Sequence, residues 1–341
     1  MGLKSLGHEV VISAYYGLNG SPTEWNGIRV VPGNGVQDGY GTDIIPAHHK
    51  FEKSDVIITL CDIWVLNGDF FKDLPILHWM PVDCRPLGRA DLSQLEKSNA
   101  GTIAFSRHGE KMLREAGLQP FYVPHGIDTK LFRPMPNRDE LRKNLDFEGK
   151  FVVGIAAANK DPFRKGMAEQ LQAFARFHKN HPDSVLLIHG LTQEGIDLSA
   201  IIKDQKIQDD VRFVEQYHYF TGQLSPEHLA TWYNVLDVYM ICSYGEGFGL
   251  TAPEALACGT PVIASCNSAL PEVAGVGWLV ETQPFWNPTH RAWWRAPNTS
   301  GIVRSLEESY QHASKLRDTA RAFAISYEQE FVLNNFWKPV M

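Results

Sequence analysis

The stretch Glu246-Gly247-Phe248-Gly249-Leu250-Thr251-Ala252-Pro253-Glu254-Ala255-Leu256-Ala257-Cys258-Gly259-Thr260-Pro261-Val262 places two carboxylates on either side of a glycine-containing turn and a helix start. The run before it, Val235 to Ile241, is mostly apolar and reads as a buried strand, while Pro253 pre-sets a first helical turn. Glu246 therefore lies just past a strand and Glu254 near a helix N-terminus. Backbone N–H groups of Gly247-Phe248-Gly249 and of the helix start are free to meet phosphate oxygens. Either carboxylate can accept paired hydrogen bonds from vicinal hydroxyls of a sugar or ribose. The same spacing equally allows Glu254 to complement the helix dipole and Glu246 to cap a turn.

Outward from this stretch, short apolar runs alternate with helix-like segments. In the first half they are His8–Ala14, Asp55–Leu60, Pro75–Met80, Thr102–Phe105 and Pro120–Val123. In the second they are Phe151–Ala157, Val185–His189, Val211–Val214, Val235–Ile241, Pro261–Ala264 and Trp278–Val280. That alternation predicts an α/β protein with parallel sheets, and two such sets predict two Rossmann-like, doubly wound domains.

The boundary is expected at Phe132-Arg133-Pro134-Met135-Pro136-Asn137, where two prolines interrupt regular structure. This divides the chain into domains 1–133 and 134–325, with an aromatic tail, 326–341, returning toward the first. Segment 282–300, rich in Pro, Trp and Asn, reads as a long loop, and Ser305–Glu328 as helical. Leu3 to Glu9 resembles the last turn of a helix entering a strand, so the chain is expected to begin inside a βαβ unit, with a first strand and its loop missing.

Composition narrows the function. The 341 residues suffice for two domains, and a net charge of −7 argues against a dedicated nucleic-acid binder. Five widely spaced cysteines show neither a disulfide framework nor zinc spacing, which fits a reduced cytoplasmic setting. No apolar segment reaches spanning length, while peripheral contact at the inner face of a membrane stays open. Oligomeric state is not legible.

Three further constellations carry candidate chemistry. Asn159-Lys160-Asp161-Pro162-Phe163-Arg164-Lys165-Gly166 follows a strand, and its cations either neutralise a diphosphate or form a solvated loop. Val123-Pro124-His125-Gly126-Ile127-Asp128 reads as a turn with a histidine able to face a ligand. Asp83, in the proline-bounded stretch 81–86, can present a carboxylate to a hydroxyl nucleophile, with Asp62 a weaker equivalent; for both, a local backbone cap is the alternative. There is no GxSxG elbow, P-loop, HExxH or CxxC, and no Asp-x-Asp pair to hold a metal against a diphosphate.

In combination these motifs resemble the GT-B fold retaining glycosyltransferases of family 4, glycosyl transferases group 1. The resemblance rests on the Glu246 to Glu254 spacing with the following Ala255–Ser265 run, on Ser106, on Val123–Pro134, on Arg164-Lys165-Gly166 and on Leu270-Pro271-Glu272-Val273, in family order. It implies two domains facing a cleft, the second holding a nucleoside diphosphate sugar (GDP- or UDP-hexose) and the first a carbohydrate, lipid-linked or protein acceptor. No tightly bound cofactor and no metal are implied. Lys165 and Arg164 would contact the diphosphate and Glu254 the ribose. Glu246 with Phe248, Gly249 and Leu250 would hold sugar and phosphates. Asp83 falls where the family often carries a functional residue. Ala158-Asn159-Lys160 stands where many members have an arginine, leaving Lys160 or Arg164 to compensate. A nucleotide-sugar epimerase or hydrolase, or a non-catalytic nucleotide-sugar-binding protein, are the alternative readings.

Overall fold

The computed structural model describes residues 1–14, 20–33, 39–161 and 163–341. The chain forms two compact units, one of Met1–Pro124, Asn287–Ala292 and Gln329–Met341, the other of His125–Trp286 and Trp293–Glu328. Division by contact thus falls at Pro124 rather than at the Pro134 region. The reason is local: Arg321 donates to the carbonyls of Phe132 (2.7 Å) and Thr129 (3.0 Å), and Ile127 N donates to Tyr327 O, tying 125–133 into the second unit.

In the first unit, β1 (Val11–Ala14), β2 (Thr23–Trp25) and β3 (Ile28–Pro32) form one sheet in the order β1-β3-β2, with β2 antiparallel to β3. A second sheet runs in parallel through β4 (Ile57–Leu60), β5 (Ile76–Met80), β6 (Gly101–Ala104) and β7 (Phe121–Tyr122). Among the described residues β1 pairs with β3 and β4 pairs with β5, so the strands of this half fall into two groups. The β2–β3 hairpin turns at Asn26 (φ 49°) and Gly27 (φ 72°), two successive left-handed residues whose twist matches paired strands. Ser106 caps the helix Arg107–Glu115 by accepting from Gly109 N at 3.1 Å. The C-terminal tail packs on this unit, with Trp337 edge-on to Trp79 at 4.9 Å.

The second unit is built on six parallel strands: β8 (Phe151–Ala156), β9 (Ser184–His189), β10 (Val211–Phe213), β11 (Val238–Ile241), β12 (Val262–Ser265) and β13 (Gly277–Val280). Their order, β10-β9-β8-β11-β12-β13, puts β8 and β11 at the centre. Near-continuous Val, Ile and Leu suit strands covered on both faces. One face meets the helices Met167–His178 and Thr299–His312, where Leu171, Phe174, Phe177 and Leu306 are fully buried. Each such side chain contributes about 1.5–3 kcal/mol. The other face carries Tyr239, which meets Trp232 and Tyr233 of the helix Pro226–Val235 edge-on.

The long loop expected over 282–300 is instead a hairpin of β14 (Thr282–Asn287) and β15 (Ala292–Pro297) followed by a helix start. Aromatic pairing outweighs the local prolines: Trp286 meets Trp293 edge-on at 5.0 Å, and Arg295 reaches across to Thr282 Oγ1 and O, both at 2.8 Å. The helical expectation for 305–328 is met by Thr299–His312 and Arg317–Ala324.

Candidate active site

Parallel strands place their following loops at one edge of a sheet, and at a point where strand order reverses the loops part to leave room for a ligand. In the second unit that point lies between β8 and β11. The loop after β8 carries Arg164 and Lys165; the loop after β11 carries Glu246.

Asp161 organises the first loop by accepting from Phe163 N (2.8 Å) and Arg164 N (2.7 Å), a side-chain substitute for a backbone turn. Pro162 lies outside the described residues. Gly166 follows with φ 58° and opens the helix Met167–His178. The result delivers Lys165 Nζ to Glu246 Oε1 at 2.6 Å, with Arg164 Nη1 3.5 Å from Oε2. Ser243 Oγ also donates to Oε1, at 2.7 Å. Burial of Glu246 would raise its pKa, but Lys165 and then Arg164 overcome this, so the pKa is lowered and the group is a carboxylate.

Tyr244 joins the two loops. Its N–H donates to Arg164 O at 2.7 Å, its carbonyl accepts from Arg295 N at 3.0 Å, and its hydroxyl donates to Glu169 at 2.6 Å. Beyond Glu246, the side chain of Phe248 is buried against His125 (5.1 Å) and Tyr327 (5.7 Å), which leaves its backbone as the polar surface it can offer. Gly249 has φ 86°, and Leu250 is exposed.

Glu254 sits in the first turn of the helix Thr251–Ala257 and is 9% exposed. Tyr233 donates to its Oε2 at 3.1 Å, but burial dominates and its pKa is raised to about 7. The two carboxylates of the opening motif therefore differ in charge state, one paired with cations and the other poised near neutrality.

Not all predicted residues join this group. Lys160 extends into solvent, 3.9 Å from Glu194. Asp83 belongs to the first unit, beside Asp91, whose pKa burial, and then Asp62 and Asp83, raise to about 7 despite a hydrogen bond from Trp64 N. Asp91, Ser243, Tyr244, Tyr233 and Ser268 escaped the sequence reading. All but Ser243, which bonds Glu246 three residues on, act through a partner distant in sequence, so no local spacing marks them. Among the described residues, no group of three or more His, Cys, Asp or Glu is placed to hold a metal ion, and no helix is long and apolar enough to cross a membrane.

Comparison with known proteins finds similarity in sequence over part of the chain and in fold over nearly all of it. Residues 137–283 match the model described as Glycosyl transferases group 1. A 153-residue stretch is 37% identical to MMP alpha-(1->4)-mannosyltransferase of Mycolicibacterium hassiacum, covering 45% of this chain and 33% of that one. The chain thus matches less than two thirds of the length of that curated relative. Sucrose-phosphate synthase from Thermosynechococcus elongatus superposes with a TM-score of 0.76 at 20% identity, over 99% of this chain and 90% of the other. Anabaena HepE in complex with UDP-glucose gives 0.66 at 18% identity, over 87% and 81%. The fold is GT-B. Over residues 137–283 the chain is similar to the glycosyl transferases group 1 family.

Proposed function

We propose that this protein is a retaining glycosyltransferase, moving a hexosyl unit from a nucleoside diphosphate sugar to a hydroxyl acceptor. The observation that carries this reading is the Lys165–Glu246–Arg164 cluster at the strand-order reversal, with Glu254 in the first turn of the helix that follows. HepE was solved with UDP-glucose, and the mannosyltransferase relative is named for hexosyl transfer, which supports the same class. The five unpaired cysteines suit a reducing compartment such as the cytoplasm.

The chemistry follows from charge. The bond from the anomeric carbon to the diphosphate oxygen breaks, and negative charge builds on that leaving oxygen. Lys165 and Arg164 stabilise it, together with the N–H groups of 248–250. The acceptor oxygen bonds to the anomeric carbon from the same face, and its proton passes to the departing phosphate. Glu246 is then a positioning group for sugar and cations, and Glu254 accepts from the ribose hydroxyls.

A donor panel of UDP- and GDP-hexoses, scored for nucleoside diphosphate release and for product, tests the reading. Transfer to an added acceptor is expected. Free sugar alone, interconverted sugar nucleotides, or binding without turnover would overturn it in favour of a hydrolase, an epimerase or a binding protein. Within the same panel, Glu254→Ala should weaken donor binding about tenfold, the cost of one or two hydrogen bonds. Unchanged affinity would remove Glu254 from the ribose.

Glu254 also sets a pH dependence. Its folded pKa is raised, so the folded protein holds a proton that the unfolded chain has lost between the ordinary glutamate value and about 7. Its contribution to stability therefore declines as pH rises through that window. Donor binding should move the opposite way, because the ionised form accepts both ribose hydroxyls. Affinity for a nucleotide sugar, whose diphosphate does not titrate near neutrality, is expected to improve several-fold from about pH 6 to about pH 8. Glu254→Gln should flatten that profile.

A further inference from the structure

The turn after β12 grips the loop of Glu246 from both sides. Asn267 Nδ2 donates to Tyr244 O at 2.6 Å, Ser268 Oγ accepts from Glu246 N at 2.9 Å, and Ala269 N donates to Glu246 O at 3.3 Å. Ser268 does this with φ 49°, a left-handed conformation that side chains other than glycine, asparagine and aspartate adopt at a cost. Glycine would relieve the backbone but leave the Glu246 amide without its acceptor. Glu246 itself is 7% exposed, so water is a poor substitute for the lost hydroxyl. A strained residue whose one polar atom is spent on the neighbour of a reacting site has a function that its own stability does not explain.

We propose that Ser268 is a positioning residue for Glu246, its hydroxyl fixing the Glu246 backbone so that the carboxylate, held at its far end by Lys165 and Ser243, keeps one position relative to the Phe248–Leu250 backbone. This rests on the reading of Glu246 as part of the donor site. The hydroxyl acts by angle and distance. If the Glu246 amide is freed, the loop gains rotational freedom about Glu246 while Lys165 and Ser243 still hold the carboxylate end. The side chain then remains paired but samples a wider range of positions relative to the Phe248–Leu250 backbone, which Gly249 seats against Leu270 and Val273 of the same turn. Ground-state binding of donor depends mainly on diphosphate and ribose contacts. Placement in the transition state depends on this alignment.

The discriminating variant is Ser268→Gly, compared in the full chain with Ser268→Ala and Glu246→Ala. Three quantities are measured: unfolding temperature, hydrogen–deuterium exchange of the Glu246 amide, and turnover of UDP-glucose and GDP-mannose. Ser268→Gly is expected to unfold at or above the temperature of the parent, yet to exchange the Glu246 amide at least about tenfold faster. Its kcat should fall about tenfold, with KM changed less than about twofold. Ser268→Ala should show the same kinetic loss with a lower unfolding temperature, because the strain stays. Unchanged exchange in Ser268→Gly overturns the proposal whether or not either donor turns over. Full activity in Ser268→Gly beside an inactive Glu246→Ala overturns it alone, whereas full activity in Glu246→Ala overturns the donor-site reading beneath it.

Discussion

Lys165→Ala is expected to lower kcat on the hexose donor by about 10²–10³-fold, the loss associated with removing one preorganised group that stabilises a developing anion. It should also destabilise the second unit by about 3–5 kcal/mol, because Glu246 is left buried without its nearest counter-charge. Arg164 does not replace it, at 3.5 Å and with a more exposed side chain. The pH response separates this from simple loss of packing. In the parent, the lowered Glu246 pKa gives stability that is present above the unfolded glutamate value and is lost as pH falls through the folded one. Without Lys165, burial prevails and the pKa rises, so stability should fall with increasing pH instead. Thermal unfolding from about pH 3 to about pH 8, which spans the ordinary glutamate pKa, checks the reversal. A variant whose unfolding responds to pH as the parent does would show that Lys165 does not govern Glu246.

Gly166→Ala is the second large effect. A Cβ at this position would be driven into the carbonyl oxygen of Cys242, on the central strand's exit, and φ 58° is strained for alanine in any case. The clash is with backbone, so no rotamer relieves it. Neighbouring bonds hold the same spot: Gln170 Nε2 donates to Lys165 O at 2.8 Å, while Gln170 Oε1 accepts from Cys242 N at 3.2 Å. Separating the two loops by enough to admit a methyl group would break this bridge and carry Lys165 away from Glu246. A destabilisation on the order of 3 kcal/mol is expected, with donor turnover falling as in Lys165→Ala. An unchanged unfolding midpoint would mean the two loops are free to separate there.

How far such sites are legible before folding depends on whether their signals are local. Glu246, Arg164 and Lys165 are legible because each lies past an apolar run that reads as a buried strand, and Glu254 because Pro253 beside it pre-sets a helix start. The structure puts the first three within contact, as strand-end loops of a parallel sheet must be when their strands are neighbours. Hairpin β2–β3 was missed although Asn26-Gly27 announces it, because its strands are short and flank few apolar residues. Hairpin β14–β15 is hidden for a different reason: Asn287 and Pro288 do form its turn, but Pro284 is a loop former inside its first strand, and the cross-strand contacts of Trp286 with Trp293 and of Arg295 with Thr282 outweigh it. Lys160 has the same cationic credentials as Lys165, but it comes immediately before the turn that Asp161 makes and lies 3.9 Å from Glu194 instead of on Glu246.

The order of apolar runs, the turn residues and the spacing of the two glutamates determined that this chain folds as parallel α/β units with Glu246 at a strand end and Glu254 at a helix start, because strand burial and helix initiation are written in neighbouring residues. The charge states of those glutamates, the pairing of Glu246 with Lys165, the hydroxyl of Tyr233 on Glu254 and the strained hold of Ser268 on Glu246 belong to the tertiary structure alone. Each depends on burial and on partners from 21 to 81 residues away, and desolvation and Coulomb attraction act over distances in space that the linear order of the chain does not record.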